Sequence, residues 1–411
     1  MIKLLVIADD FTGALDTGVQ FSKQGISTLV STNTEINTNE VDEDIEVLVI
    51  DTESRYLSND EAYKIIRDLI VSAKKMKIPF IYKKVDSALR GNISAEIKAV
   101  LDASQTTAIP FLPAYPEMNR VLINGNLYID RVLVSQSVFA KDPYEPVIES
   151  NVLRRLKKEA NIEGQLIKNQ LLPDTLKGVL VFDAERDEDL EKQATLLEKA
   201  NLLSISIGCA GFAKVLATKL FSKVESHEYS LKKPLVVICG SVNPVTRKQV
   251  DYIEKKNYPR ISLRPHQLLQ QNYWSKEGKK EIADYLSLLE DQSLILFETL
   301  SEETSRGIEL VSNEQGQDVT DFRFRIGQAL GELTQALWSE HTENTFLFTG
   351  GDTLFQSMNV LGINQIKPIA EISPGVVLST IIWQEKENQV ITKSGGFGNE
   401  ALFEEICHLT E

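Results

Sequence analysis

The sequence is short of the residues that build metal and disulfide scaffolds. It holds three cysteines (Cys209, Cys239, Cys407) and four histidines (His227, His266, His341, His408) in 411 residues. Their spacing makes no CxxC, HExxH or HxH pattern, which excludes a disulfide framework and a His/Cys zinc site, and the thiols fit a reducing, cytoplasmic compartment. Long apolar runs are missing too. The opening run at residues 4–8 falls far short of the ~20 residues that span a bilayer, and no cleavable signal follows it. No membrane partner is expected. Basic residues are in deficit: 44 Lys plus Arg against 59 Asp plus Glu leave a net charge of −15. That argues against a nucleic-acid surface, where Lys and Arg must displace counterions. It does not exclude a small anion, because a pocket can oppose the global field. Finally, no GxxxxGK followed by Ser or Thr occurs, so the chain is not a P-loop protein.

What is present is ordinary globular material, 42% hydrophobic and 25% charged, enough for two or three domains at roughly 150 residues each. Short, nearly continuous apolar runs at residues 2–8, 27–31, 46–50 and 79–83 read as strands buried on both faces. Helical patterns alternate with them. Thr12 is the expected N-cap of the first helix. Ser58 and Glu61 make a capping box for a second, with Ala62, Ile65, Ile66, Leu69, Ile70 and Ala73 on one face. Residues 106–148 interrupt the alternation with five prolines and an Asn124-Gly125 hairpin signal, giving a small β-rich excursion. A polar stretch at 226–234 marks a boundary. Beyond it, strands are expected at 235–239, 293–297, 345–349, 376–383 and 389–392, with helices over about 321–338 and from about 399. The fold class is α/β: two domains, 1–230 and 231–411, with mainly parallel sheets.

Chemistry gathers just after the strands, where open α/β sheets bind ligands. Asp9 and Asp10 precede a Thr-Gly-Ala turn, and a carboxylate there can orient or deprotonate a substrate hydroxyl. Lys84, Asp86, Ser87, Arg90, Gly91 and Asn92 follow a strand and combine donors with close backbone approach. The loop holding Glu53 and Arg55 lies on the same edge, with a weaker signal. In the second half, three strand–glycine–helix junctions suit phosphate: Ser241 and Thr246; Gly350, Gly351, Asp352 and Thr353; Gly395, Gly396 and Gly398. The 396–401 segment also has GxGxxA spacing. Only ten residues follow it, so a dinucleotide fold cannot be built there, and an NAD-dependent dehydrogenase has no other support.

Taken in order, the motifs Asp9–Ala14, Lys84–Asn92, the proline-rich stretch, Gly240–Thr246, Gly350–Thr353 and Ser394–Gly398 resemble those of the four-carbon acid sugar kinase family over essentially the whole chain. Asn126 and Ser137 depart from the family pattern, standing in place of His and Thr. The resemblance implies a substrate domain before an ATP domain, with ATP and Mg²⁺ as cofactors. The metal would be carried mainly by the phosphates. Transfer would go to the terminal hydroxyl of threonate, erythronate or a 3-oxo-tetronate. By motif match, Ser241, Gly350–Thr353 and Gly395 would contact nucleotide, while Asp9, Asp10, Arg90 and their neighbours would hold the acid, its carboxylate on Arg90 or Lys84. Asp10 or Asp9 would serve as base. A non-catalytic nucleotide or metabolite sensor, and a kinase for a different polyol acid, remain alternatives; a homo-oligomer is compatible with either.

Overall fold

Strands that are apolar along their whole length need cover on both faces, and helices supply it here. The computed structural model describes residues 1–142, 145–168, 171–222, 229–315, 322–340 and 344–410. It divides into two compact units, Met1–Ser226 and His227–Glu411. Pro143, His227, His341, Asp321 and part of the expected 226–234 boundary lie outside the described residues.

In the first unit the strands are β1 (Leu4–Ala8), β2 (Thr28–Ser31), β3 (Val47–Asp51), β4 (Phe80–Lys84), β5 (Ala108–Leu112), β6 (Arg120–Ile123), β7 (Asn126–Ile129), β8 (Val132–Leu133), β9 (Gly164–Ile167), β10 (Gly178–Phe182) and β11 (Ile205–Gly208). The order β2-β3-β1-β4-β11-β5-β10-β9 is parallel throughout. β1 lies between β3 and β4, so the strand order reverses there and opens a crevice at the carboxyl ends. β6, β7 and β8 form a separate antiparallel sheet. Its Asn124-Gly125 turn has positive φ at both residues, 51° and 73°, as the hairpin signal requires.

Helix boundaries follow local chemistry. The helix Asn59–Lys75 starts at Ser58 with its capping box formed and buries Ala62, Ile66, Leu69, Ile70 and Ala73. The first helix, Phe11–Ser22, corrects an expectation. Its N-cap is Asp10, whose Oδ1 accepts the Gly13 N–H at 3.2 Å, and Thr12 is already inside the helix. Both residue types can cap, and burying Phe11 on the first turn selects Asp10.

The second unit adds β12 (Leu235–Cys239), β13 (Arg260–Ser262), β14 (Leu294–Glu298), β15 (Thr345–Thr349), β16 (Gln365–Ser373), β17 (Val376–Trp383) and β18 (Lys386–Lys393). The order is β13-β14-β12-β15-β18-β17-β16, parallel as far as β18 and antiparallel after it. Here β12 and β15 flank the reversal point. Leu235, Val237, Cys239, Leu296, Leu347 and Ile391 sit in one core below it. The helix expected over 321–338 spans Phe322–Glu340, and the last begins at Leu402 rather than near 399.

Candidate active site

In the first unit, β1, β3 and β4 deliver their loops to one crevice. Side chains alternate along β4, so its two lysines take opposite faces. Lys83 is fully buried and pairs with Glu96 at 2.9 Å. Lys84 Nζ reaches Asp9 Oδ1 at 3.1 Å and Asp10 Oδ1 at 3.0 Å. Arg55 approaches from the β3 loop, giving Nε and Nη2 to Asp9 Oδ2 at 2.9 and 2.7 Å. Its Nη2 also lies 2.7 Å from Asp10 Oδ1 and 3.7 Å from Asp86 Oδ1. Asp9 is 1% exposed, Arg55 4% and Lys84 5%. Burial disfavours the Asp9 charge, but Arg55, Lys84 and Lys83 outweigh it and hold that carboxyl well below its ordinary range.

Asp86 and Arg90 form a two-pronged pair, Nε to Oδ2 at 3.0 Å and Nη2 to Oδ1 at 3.1 Å. Burial again opposes the Asp86 charge, and Arg90 and Arg55 override it, keeping the carboxyl ionised. Arg90 also reaches Asp142 at 3.3 Å. Gly91 has φ +79°, and a β-carbon there would meet Arg55 Cγ at 2.8 Å, so the glycine lets two loops touch. Asn92 precedes the helix Ile93–Ser104 as expected, but its side chain does not cap it. The Asn92 amide instead ties the neighbouring loop, donating to Ser54 O at 2.8 Å and Leu57 O at 2.7 Å. The crevice therefore assembles every residue expected in this half, with Lys84, Arg55 and Arg90 already committed to aspartates.

Two further residues bear on the site. Glu53, at φ 46°, accepts the Phe11 N–H at 3.0 Å. Burial and the neighbouring Asp10 charge push its carboxyl up to about 7. Arg120, from β6, donates to Ser87 Oγ and lies over the Phe139 ring at 5.5 Å, with Arg90 over the same ring at 5.2 Å. It forms no ion pair among the described residues, and its Nε is buried without a partner. Sequence reasoning passed over Arg120 because a single Arg in a proline-punctuated hairpin carries no motif.

In the second unit the three glycine junctions meet around Ser241. A β-carbon on Gly395 would stand 2.6 Å from Ser241 Oγ, and one on Gly350, at φ +92°, would lie 3.9 Å from Ser241 Cβ. Thr246 is buried and donates to Gly395 O at 2.8 Å. Gly350 is the N-cap of the helix Gly351–Leu361 and, lacking a side chain, offers no cap to its first turn. Thr353 turns inward, its Oγ1 donating to Thr349 O at 3.0 Å. Asp352 faces out and pairs with Arg323. Gly396 and Gly398 are both exposed; Gly396 lies beside Asn243, and Gly398, at φ +84°, lies against Leu402 and shapes the turn. Missed at this edge was Lys393, the last residue of β18, which reads in sequence as a strand terminus.

Comparison with known proteins finds two family matches along the chain. Residues 4–216 match the family described as the sugar-binding N-terminal domain, and residues 236–403 the nucleotide-binding C-terminal domain. The chain is 27% identical to the D-threonate kinase of Salmonella typhimurium, covering 100% of this chain and 99% of that protein. It is 24% identical to the D-erythronate kinase of Heliobacterium modesticaldum (97% and 95%), and 27% identical to the 3-oxo-tetronate kinase of Salmonella typhimurium (98% of each). Among solved structures it shares its fold with a Salmonella typhimurium protein described as a putative tRNA synthase (TM-score 0.84, 23% identity, 100% of both chains). A Haemophilus influenzae protein is also similar (TM-score 0.76, 23% identity, 97% and 98%). Among the described residues no helix is long and apolar enough to cross a membrane. With both domain matches in order on the two crevices, the chain belongs to the four-carbon acid sugar kinase family.

Proposed function

We propose that this protein uses ATP to phosphorylate the terminal hydroxyl of a four-carbon sugar acid. The observation that carries the reading is the split of chemistry between the two crevices. Carboxylates and guanidinium groups converge at the β1–β4 edge, and an uncapped, glycine-lined helix start sits at the β12–β15 edge. Phosphoryl transfer asks a protein mainly for positioning and charge neutralisation.

In this reading the nucleotide phosphates lie at Ser241, Gly350–Thr353 and Gly395–Gly396, where first-turn amides and the helix dipole favour anions. Mg²⁺ accompanies those phosphates and screens their charge. The sugar acid lies in the first unit. Arg120, the guanidinium there that makes no ion pair among the described residues, takes its carboxylate, with Ser87 beside it. Asp10, half-buried at the crevice while Asp9 is enclosed, orients the hydroxyl. Glu53 is the carboxyl whose charge state decides whether the cluster can receive the proton near neutral pH.

The test is a coupled assay for ADP release with D- and L-threonate, D- and L-erythronate and their 3-oxo forms. Acid-dependent turnover supports the reading. Nucleotide binding without turnover on any of these acids overturns it and favours a sensor.

A further inference from the structure

The other buried lysines among the described residues have anionic partners: Lys83 has Glu96, and Lys84 has Asp9 and Asp10. Lys393 differs. It is fully buried at the end of β18, and it forms no ion pair among the described residues. Its Nζ donates to Thr246 Oγ1 at 3.0 Å and to Gly395 O at 3.1 Å. An ammonium has three N–H donors, so one is left over. A buried cation without a counter-charge is costly, and burial duly brings the Lys393 amine down to about 8.

Its surroundings indicate which anion is missing. The Lys393 carbonyl accepts the Gly350 N–H at 2.8 Å, which places the strand end beside the uncapped start of Gly351–Leu361. Its two hydrogen-bond partners, Thr246 and Gly395, belong to the other two junctions around Ser241. We propose that Lys393 supplies the positive charge of the polyphosphate site, its free N–H being held for a phosphate oxygen of the nucleotide. The inference rests on the nucleotide reading above. It adds a group that no glycine motif contains, and it explains why a desolvated ammonium is kept where a methionine would pack.

Titration calorimetry on the full chain, with ADP, a non-hydrolysable ATP analogue and adenosine as probes, tests it. For Lys393→Met, affinity for both polyphosphate ligands is expected to fall at least tenfold while adenosine binding stays unchanged. Lys393→Arg, which keeps the charge, should recover part of the loss. The ligand-free Lys393→Met protein should melt no lower than wild type, because an uncompensated buried charge has been removed. A lower melting temperature in both variants, with affinities unchanged wherever they fold, would show a loop staple and overturn the proposal. Equal loss of adenosine and ADP binding would also overturn it. If the wild type binds none of the three, the nucleotide reading itself fails, an outcome distinct from a wild type that binds and a Lys393→Met protein that binds equally well.

Discussion

Lys84 occupies the space that a side chain on Gly13 would need: a β-carbon there would stand 2.5 Å from Lys84 Cε, with Lys84 Nζ and Asp10 Oδ1 nearer still. The glycine is thus required by the ion-pair network rather than by its own backbone. Gly13→Ala must push Lys84 off Asp9 and Asp10, and overpacking of this kind costs about 1–3 kcal/mol. Urea melts should show that loss, and turnover should fall with it. Full turnover in the variant would mean that Lys84 has no part in holding the aspartates for catalysis.

Asp9 sits between two buried cations, so removing its charge strands them. Asp9→Asn is expected to lose about 3–5 kcal/mol of unfolding free energy at neutral pH. The pH dependence has a definite sign. The folded carboxyl is held below its ordinary value of 3.8, so its contribution is present above that pH and lost as pH falls below it. Wild-type stability should drop on acidification through this range, and the drop should be smaller in Asp9→Asn.

Glu53 has the opposite sign. Its folded carboxyl is raised from 4.5 to about 7, so the folded state binds the proton more tightly and loses stability as pH rises between those values. Glu53→Gln can still accept the Phe11 N–H, and should therefore melt higher than wild type at pH 8 and level with it at pH 4. Activity runs the other way. Wild-type kcat/KM should climb through about pH 7 as Glu53 ionises, and that limb should vanish in a uniformly slow Glu53→Gln enzyme. A retained limb assigns the proton acceptor elsewhere.

Arg120 separates acid recognition from nucleotide recognition. Charge-assisted hydrogen bonds contribute about 1.5–3 kcal/mol, so Arg120→Ala should raise KM for the sugar acid by roughly tenfold to a hundredfold. KM for ATP should be unaffected. Arg120→Lys keeps the charge but not the planar fork, and should fall between the two. A shift in KM for ATP alone would remove Arg120 from the acid site.

The sequence carried the sheets because strands such as Leu235–Cys239 and Thr345–Thr349 are apolar at nearly every position, and burial on both faces leaves few alternatives. The Ser58 capping box and the Asn124-Gly125 turn were legible for local reasons. β9 and β16 were not, since their residues are only partly buried and the apolar pattern is weak. At the site, motifs located the residues but not their partners. Nothing in the order of residues says that Lys84 and Arg90 spend their charge on Asp9, Asp10 and Asp86. Arg120 and Lys393 have the reverse property. They matter because neither makes an ion pair among the described residues, and such a lack becomes visible only once strands distant in sequence are brought together.

The β6–β8 hairpin that carries Arg120 is fastened through its backbone as well as through its buried Leu122 and Leu127. Leu122 and Ala184 exchange both main-chain hydrogen bonds, Leu127 N–H donates to Ser150 O, and Gly125 O accepts from Val152 N–H. Asp183 receives the Asn124 and Gly125 amides at 2.9 and 2.8 Å. Attachments of this kind do not depend on which side chains the hairpin bears. On the proposed function, acid selectivity would travel with this one contiguous segment, whose solvent-facing side chains can change while Leu122 and Leu127 stay buried.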